Sequence, residues 1–143
     1  MKNQYKGLLI MRKENTNKLM FSRVSINRKS ALEELYKILE CDTIDIQERY
    51  INNKIYDFIF DDEYLINGKS QKAENIRAFA TQKDQLIEII FGNLFICGIA
   101  NEKGEETDLN EEDINNILSA IEYIKNNNDN KNYQALKYSI EEQ

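Results

Sequence analysis

Histidine and proline are absent from this sequence of 143 residues, and glycine occurs only five times. Without histidine, catalytic triads of the Ser-His-Asp and Cys-His types and zinc sites built on imidazole are excluded. The glycines never reach the GxGxxG or GxxxxGK spacing of phosphate-binding loops, and no serine has the glycine neighbours of a nucleophile elbow. We therefore expect a protein without catalytic activity and without a cofactor.

Cysteine is scarce, and long apolar runs are missing. Cys41 and Cys97 lie in apolar contexts, which predicts a reduced, buried pair, because a metal site with two thiolates needs further Cys or His ligands. The longest apolar runs, residues 86–91 and 94–99, are far shorter than the roughly 20 residues that cross a bilayer. The N-terminus meets basic residues before any such run, unlike a secretory signal. These features predict a cytoplasmic protein without a membrane anchor.

Charge is divided unevenly along the chain. Residues 1–30 contain eight basic side chains and one acidic side chain, although the whole chain has a net charge of −6. One interpretation is a cationic patch that binds phosphates or nucleic acid. The other is that the basic segment lies beside acidic groups of its own fold or of a second copy of the chain.

Apolar patterning predicts the first half of the fold. Residues 1–29 contain two β-rich runs around a turn-like segment, which is typical of a hairpin. Ser30 and Glu33 have the spacing of a capping box, so a helix with one apolar stripe is expected to begin there and to end near Cys41. Alternating apolar residues predict a second hairpin over residues 43–60.

The next segments alternate between polar and apolar. Residues 71–84 are mostly polar, which predicts an excursion with one helical turn. Residues 86–91 and 94–99 are apolar, which is typical of buried strands that adjoin each other at the centre of a sheet. Asn110 is a predicted helix N-cap, with acidic residues in the first turn. The apolar stripe of that helix consists of Ile114, Ile117, Leu118, Ile121 and Ile124.

Residues 126–143 begin with a low-complexity polar run, which predicts a linker. Tyr133, Leu136 and Ile140 then form a weak helical stripe, and this tail docks on its own domain, pairs with a second subunit or contacts a partner. Together these patterns predict one α+β domain over residues 1–125. It has a mostly antiparallel sheet of about six strands covered by two main helices, with a C-terminal tail element.

Two acidic segments are candidate sites. Residues 61–63, together with Asp57, could bind a divalent cation, but consecutive acids at a strand end are typical of a solvated turn. The run 102–113 does not match an EF-hand, because Gly104 is not preceded by alternating acids. It is either a solvated loop and helix start or an acidic surface that imitates phosphates toward a basic partner protein. The residues of that candidate surface are Glu102, Glu105, Glu106, Asp108, Glu111 and Glu112.

Four segments of the chain, taken in order, resemble a known family. They are ALEELYKIL, YDFIFDDEYLINGKS, IIFGNLFICGI and DLNEEDINNIL. Over about residues 31–120 they resemble the small phage- and plasmid-borne family catalogued as domain of unknown function family 3846. Its strand pattern corresponds to Phe91, Gly92, Phe95, Ile96 and Gly98, and its helix start to Leu109, Asn110, Glu111, Asp113 and Ile114.

The resemblance implies no enzyme activity and no cofactor, and it implies residence on a mobile element, whose small proteins often inhibit host defence. The leading hypothesis is a non-catalytic accessory protein that binds and inhibits a host protein, of the anti-CRISPR or anti-restriction type, in the host cytoplasm. One alternative is a protein that sequesters an anionic nucleotide signal through Arg12, Arg23 or Arg28. Another is a protein that binds nucleic acid through its basic hairpin.

Overall fold

The computed structural model describes residues 3–62 and 73–142. The strands are β1 (Gln4–Arg12), β2 (Leu19–Asn27), β3 (Ile44–Ile51), β4 (Lys54–Asp61), β5 (Ile76–Gln82), β6 (Gln85–Phe91), β7 (Leu94–Cys97), β8 (Ile121–Asn126) and β9 (Lys131–Tyr138), and the helices are α1 (Ala31–Leu39) and α2 (Glu111–Leu118). The predicted α+β class with mostly antiparallel strands is confirmed. The expected single sheet of about six strands is wrong, because the described residues form nine strands in two sheets.

The first sheet has the strand order β2-β1-β7-β4-β3, and the second has the order β6-β5-β9-β8. All neighbours in the first sheet are antiparallel, whereas β5 and β9 of the second sheet are parallel. The β1–β2 and β3–β4 pairs confirm the two hairpins that local patterning predicts. The second hairpin turns at Asn52 and Asn53, which both have positive φ, a conformation that asparagine tolerates in tight turns.

The two sheets face each other across the main hydrophobic core. Phe58 of the first sheet and Leu136 of the second are fully buried in the same cluster, which Ile117 of α2 joins. On the opposite face of the first sheet, Leu35 and Leu39 of α1 pack against the strands. Burial of apolar surface, worth roughly 25 cal/mol per Å², holds these layers together in the order α1, first sheet, second sheet.

The two helices begin differently. Asn110 caps α2 as predicted, because its Oδ1 accepts the Asp113 N–H at 2.8 Å while Asp113 Oδ2 accepts the Asn110 N–H at 3.0 Å. At α1 the predicted capping box between Ser30 and Glu33 is wrong, since the Ser30 hydroxyl donates instead to the Glu34 carboxylate. Neither helix in the described ranges has the length and apolar content to cross a membrane.

The two apolar runs expected as neighbouring central strands lie in different sheets. β7 is the central strand of the first sheet, and all four of its residues are buried. β6 is an edge strand of the second sheet, where Leu86 and Ile87 are exposed. Gly92, with a φ of 83°, lies between the two strands at the point where the chain passes from one sheet to the other. Periodicity does not distinguish an apolar edge strand from a strand buried on both faces.

The polar segment 71–84, predicted as an excursion, contains a central strand. Residues 71 and 72 lie outside the described ranges, and a short 3-10 turn over Ala73–Asn75 precedes β5. β5 lies between β6 and β9, and its Ala78 and Ala80 are fully buried against the first sheet. Small side chains suffice there because the two sheets approach closely, so this strand lacks the apolar signature of a core element.

The C-terminal part of the chain forms strands rather than a helix and a linker. The predicted second helix stops at Leu118, and β8 follows it. The predicted linker contains the turn of the β8–β9 hairpin. Of the predicted helical stripe, Tyr133 and Leu136 belong to β9, which lies between β5 and β8, and Ile140 follows that strand. Leu136 and Tyr138, two positions apart, both join the main core. The buried residues of this segment therefore follow the period of two of a strand and not the period of a helix.

Candidate functional site

An open groove of about 1200 Å³ is a concave region among the described residues. It lies where the β1–β2 turn meets the starts of β5 and β9, at one end of the two sheets. We call it the cationic groove. Its charged lining residues are the basic Arg12, Lys13, Lys18, Arg77 and Lys131 and the acidic Glu14, Glu40 and Glu74. In a chain with a net charge of −6, this is a local concentration of positive charge.

Arg12 lies at the end of β1 and joins the two sheets at the floor of the groove. Its Nε donates to the Glu74 carbonyl at 3.1 Å, and its Nη2 donates to the Ile76 carbonyl. Its Nη1 donates to the carbonyls of Asn17 at 3.0 Å and Gln134 at 2.8 Å. One side chain of the first sheet therefore satisfies carbonyls at the starts of β5 and β9.

The N–H donors of Arg12 have acceptors, but none of these acceptors carries a negative charge. Within residues 3–62 and 73–142, every hydrogen bond of the guanidinium goes to a carbonyl oxygen and none to a carboxylate. The guanidinium lies 5.5 Å from the centre of the Tyr133 ring, a cation–π distance. Burial lowers the pKa of Arg12, because partial desolvation disfavours the charged form.

The β1–β2 turn carries the exposed cations of the rim. The Lys13 N–H donates to the Lys18 carbonyl at 3.1 Å, and the Thr16 N–H donates to the Lys13 carbonyl at 3.1 Å. Asn15, with a φ of 60°, provides the left-handed position that this turn requires. The ordered backbone holds the side chains of Lys13 and Lys18 on the same side of the groove as Asn15 and Thr16.

A second arginine contributes to the floor. Arg77 on β5 is only 8% exposed, and its Nη1 donates to the Glu74 carbonyl at 3.0 Å. Its Nη2 donates at 3.2 Å to Oδ1 of Asn93, whose amide donates in turn to the Ile38 carbonyl of α1. The sequence analysis did not identify Arg77, because it predicted an excursion for this segment. The position of Arg77 within a short apolar run was a signal that could have indicated a strand there.

The three arginines proposed from the sequence do not form one site. Arg12 lies in the groove, but Arg23 is an exposed residue of β2 that pairs with Glu111. Arg28 lies over the Tyr5 ring at 5.1 Å and donates to the Glu106 carbonyl at 2.8 Å. Lys13, Lys18 and Lys131, which the sequence did not single out, share the groove with Arg12 instead.

The acidic residues proposed as a partner surface divide into two groups. Asp108 accepts the backbone N–H of Lys6 at 2.8 Å, and Glu111 is paired with Arg23. Glu106 is directed toward the interior, where its Oε2 lies 3.6 Å from the Cys97 sulfur. The remaining three, which we call the outer acids, are the exposed Glu102 and Glu112 and the half-buried Glu105.

Glu106 belongs to a buried carboxyl pair beneath the acidic loop. Burial, together with a hydrogen bond shared with Asp57, raises the pKa of Glu106 to about 8. Asp57 is only 4% exposed, so two carboxyl groups share a desolvated site where one of them is favoured in the protonated form. Burial also raises the pKa of the neighbouring Cys97 thiol. Cys97 is buried, Cys41 is half-buried and both are free, as the sequence suggested for the redox state.

The acidic residues that end β4 do not form a metal cluster in the described part of the chain. Asp61 is buried, and Glu63 lies outside the described ranges. Across residues 3–62 and 73–142, no three side chains of the metal-binding types come together. The cation site that residues 61–63 suggested with Asp57 thus has no counterpart among those residues.

One of three comparisons with known proteins finds a match. The family model described as Domain of unknown function (DUF3846) matches residues 8–122, from β1 to the start of β8. This range includes the residues 31–120 over which the sequence resembles that family. Neither the curated proteins nor the solved structures include a match. Since the model covers well over half of the chain, the protein belongs to the DUF3846 family.

Proposed function

We propose that this chain is a non-catalytic binding protein whose cationic groove takes a phosphate-bearing anion of nucleotide size. The environment of Arg12 carries this proposal. Among the described residues, its guanidinium donates only to neutral carbonyl oxygens. The Glu74 carboxylate acts on the charge of Arg12 without a hydrogen bond to it, so a bound anion would add a direct charged partner. A partly desolvated charge gains more from an opposite charge than an exposed one does.

The rim strengthens the attraction of an anion. Lys13 and Lys18 come from one ordered turn, and Lys131 comes from the start of β9 on another wall. These lysines are exposed, so they reach a ligand without first breaking an internal ion pair in the described part of the chain. Basic side chains that converge from separate elements raise the local concentration of an anion.

The size and polarity of the groove favour a nucleotide over an apolar cofactor. Its volume of about 1200 Å³ exceeds the roughly 300–1000 Å³ of typical small-molecule sites, so a mononucleotide or dinucleotide fits with water. Asn15, Thr16 and Asn17 supply polar groups next to the lysines, as sugar and base edges require. The interleaved Glu14 and Glu74 favour a compact anion over a long nucleic acid, whose continuous phosphates would meet them.

The test is a binding measurement with defined phosphate ligands. ATP, cyclic di-adenosine monophosphate and inorganic pyrophosphate are titrated into the whole chain by isothermal calorimetry. We expect at least one of them to bind, and the double variant Lys13→Glu/Lys18→Glu to weaken that binding at least tenfold, which corresponds to about 1.4 kcal/mol. Raising the salt concentration from about 0.05 to about 0.5 M should weaken it further.

A matched control separates the groove from the total charge of the molecule. Lys83→Glu/Lys103→Glu makes the same change in net charge at two exposed lysines outside the groove. It should leave binding within about twofold, because charges beyond a Debye length of about 10 Å are screened. Failure of all three ligands to bind, or equal weakening by both double variants, would remove the groove as the site.

A second candidate function is inhibition of a host protein through the acidic loop. One observation favours it: Asn101 Oδ1 accepts the N–H groups of Lys103 at 2.9 Å and Glu105 at 3.1 Å. The loop is therefore ordered before any partner arrives, which lowers the entropy cost of binding. Glu102, which is exposed on this loop, then presents a negative charge suited to a basic surface on a host defence protein.

The second candidate function is tested by reversing the charges of the outer acids and leaving the other acidic residues unchanged. Glu102→Lys/Glu105→Lys/Glu112→Lys should abolish capture of a partner from host lysate while the melting temperature changes little. Glu33→Lys, at an exposed acid on α1, is the control and should retain capture. Capture that survives the triple variant would assign the partner to a different surface.

A further inference from the structure

β2 differs from the other edge strands of the two sheets. β3 and β8 each carry both acidic and basic side chains, and β6 pairs with β5 through two irregularities in register. β2 instead pairs with β1 along all nine of its residues, and Arg23 is its one charged side chain. A long, regular and sparsely charged edge lacks the devices that usually prevent pairing with another strand.

The hydrogen bonds at the ends of β2 show which of its backbone groups face outward. In an antiparallel pair, the N–H and C=O of one residue point to one side and those of the next residue to the other. The Lys18 carbonyl accepts from Lys13 N–H at 3.1 Å, and the Arg28 N–H donates to the Asn3 carbonyl at 2.8 Å, so both face β1. The odd-numbered residues of β2 therefore face away from β1.

Side chains occupy both ends of this outer edge but not its middle. The Leu19 N–H donates to Gln134 Oε1 at 2.9 Å, and the Asn27 N–H donates to Glu34 Oε1 at 3.3 Å. Between them, the outward backbone groups of Phe21, Arg23 and Ser25 have no hydrogen-bond partner in the described part of the protein. The open stretch is thus bounded, and its length suits a short extended segment.

A pocket of about 270 Å³ lies beside the open stretch, on the face of the first sheet toward α2. Arg23 and Ser25 form one wall, and Leu109 and Ile114 provide apolar surface. In strand addition, main-chain hydrogen bonds supply affinity, and pockets for alternate side chains supply selectivity. One side chain of an added strand would enter this pocket.

The surrounding charge indicates the chemistry of the occupant. Lys6, Arg23 and Glu111 are the charged residues that line the pocket, and Glu111 pairs with Arg23, so the lining keeps one uncompensated positive charge. A second copy of β2 paired antiparallel about its centre would place Arg23 opposite Arg23, which disfavours self-pairing. We propose that the edge of β2 from Phe21 to Ser25 binds an extended acidic segment of a partner protein as an added strand.

Two defined peptides test this proposal. One is an octapeptide in which valine and glutamate alternate, and the other has lysine in place of glutamate. Amide hydrogen exchange of the whole chain is followed by NMR with each peptide. The glutamate peptide should slow exchange at Phe21, Arg23 and Ser25 at least tenfold, and the lysine peptide should leave it unchanged. ATP should not compete, because the cationic groove is a separate site.

A pair of variants checks the main-chain contact. Ser25→Pro removes one outward N–H at an edge position where proline is tolerated, and it should abolish binding of the glutamate peptide. Ser25→Ala retains that N–H and should bind within twofold of the unaltered chain. If Ser25→Pro does not fold, the exchange measurement on the unaltered chain still decides. Unchanged exchange at millimolar peptide, equal binding of both peptides, or protection at another edge strand overturns the proposal.

Discussion

At the scale of single residues, the carboxyl group of Glu106 does not belong to the acidic surface that the sequence predicted. It lies in an acidic run, yet its carboxyl group is directed inward to Asp57 and Cys97. Arg28 lies nearby and donates to the Glu106 carbonyl oxygen. Burial and the shared hydrogen bond raise the pKa of Glu106 to about 8, so near neutral pH the folded state retains a proton that the unfolded chain has released.

This proton makes stability depend on pH in a specific direction. Because the pKa of Glu106 is raised from 4.5 to about 8 on folding, the folded state binds more protons than the unfolded state across that window. The free energy of unfolding should therefore fall as pH rises through the window and level off above it. Glu106→Gln keeps the hydrogen-bonding shape without the ionisation. At pH 9 it should be more stable than the unaltered chain by about 1–2 kcal/mol, a value reduced for partial solvent screening.

Urea unfolding at several pH values between 5 and 9 measures this effect. Glu105→Gln is the matched control, since Glu105 precedes Glu106 on the same loop. The control should follow the unaltered chain at every pH. Superimposable pH profiles for Glu106→Gln and the unaltered chain would contradict the buried carboxyl pair.

At the scale of elements, the two sheets depend on a few side chains that cross from one to the other. Arg12 connects β1 to the starts of β5 and β9. At the far end of the sheets, Arg49 of β3 forms two hydrogen bonds with Glu88 of β6, both at 3.0 Å, and Tyr138 of β9 donates to Glu88 at 2.7 Å. Removing one partner from such a set leaves buried polar groups without hydrogen bonds.

Arg12→Met should therefore destabilise the fold strongly. The methionine retains much of the apolar stem but removes the Arg12 donor from the carbonyls of Ile76 and Gln134, whereas the Glu74 carbonyl keeps Arg77. The expected cost is about 2–4 kcal/mol in the free energy of unfolding. Arg23→Met, which removes an exposed ion pair on the same hairpin, should cost less than about 1 kcal/mol. Urea unfolding of both variants checks this, and equal costs would contradict the role of Arg12 as a link between sheets.

The sequence predicted those elements whose signals are local. The two N-terminal hairpins and the Asn110 cap depend on turn residues and on spacing within a few positions, and both features are visible in one dimension. β5 and β9 were missed because their pairing is parallel and joins residues far apart in sequence, such as Ala78 and Leu136. Their own side chains reach the core, but Arg77 in β5 and Lys131 and Lys137 in β9 interrupt the apolar pattern.

The candidate site was predicted in part for the same reason. Composition singled out Arg12, and the structure places it at the floor of the groove. The partners of Arg12 in the groove come from the β1–β2 turn, from β5 and from β9, so no sequence spacing connects Lys18 with Arg77 or Lys131. Arg23 and Arg28 were equally basic in the sequence, but each has a neighbour elsewhere in the fold.

At the scale of the whole molecule, the basic side chains of the N-terminal segment lie in different surroundings. Arg23 lies against the acidic start of α2, as the interpretation of internal pairing expected. Lys13 and Lys18 instead project with Arg12 into the groove. A chain of net charge −6 thus keeps a compact cationic surface apart from its outer acids, an arrangement that suits selective binding of a small anion.

The most direct test of this account is a ¹H–¹⁵N NMR titration of the whole chain with ATP, including the Nε–H resonances of the arginines. We predict chemical-shift changes confined to residues 13–18, to residues 74–77 and 131–133, and to the Arg12 side chain, with little change along β2. No change at millimolar ATP, or changes that avoid Arg12 and the β1–β2 turn, would contradict the cationic groove as the binding site.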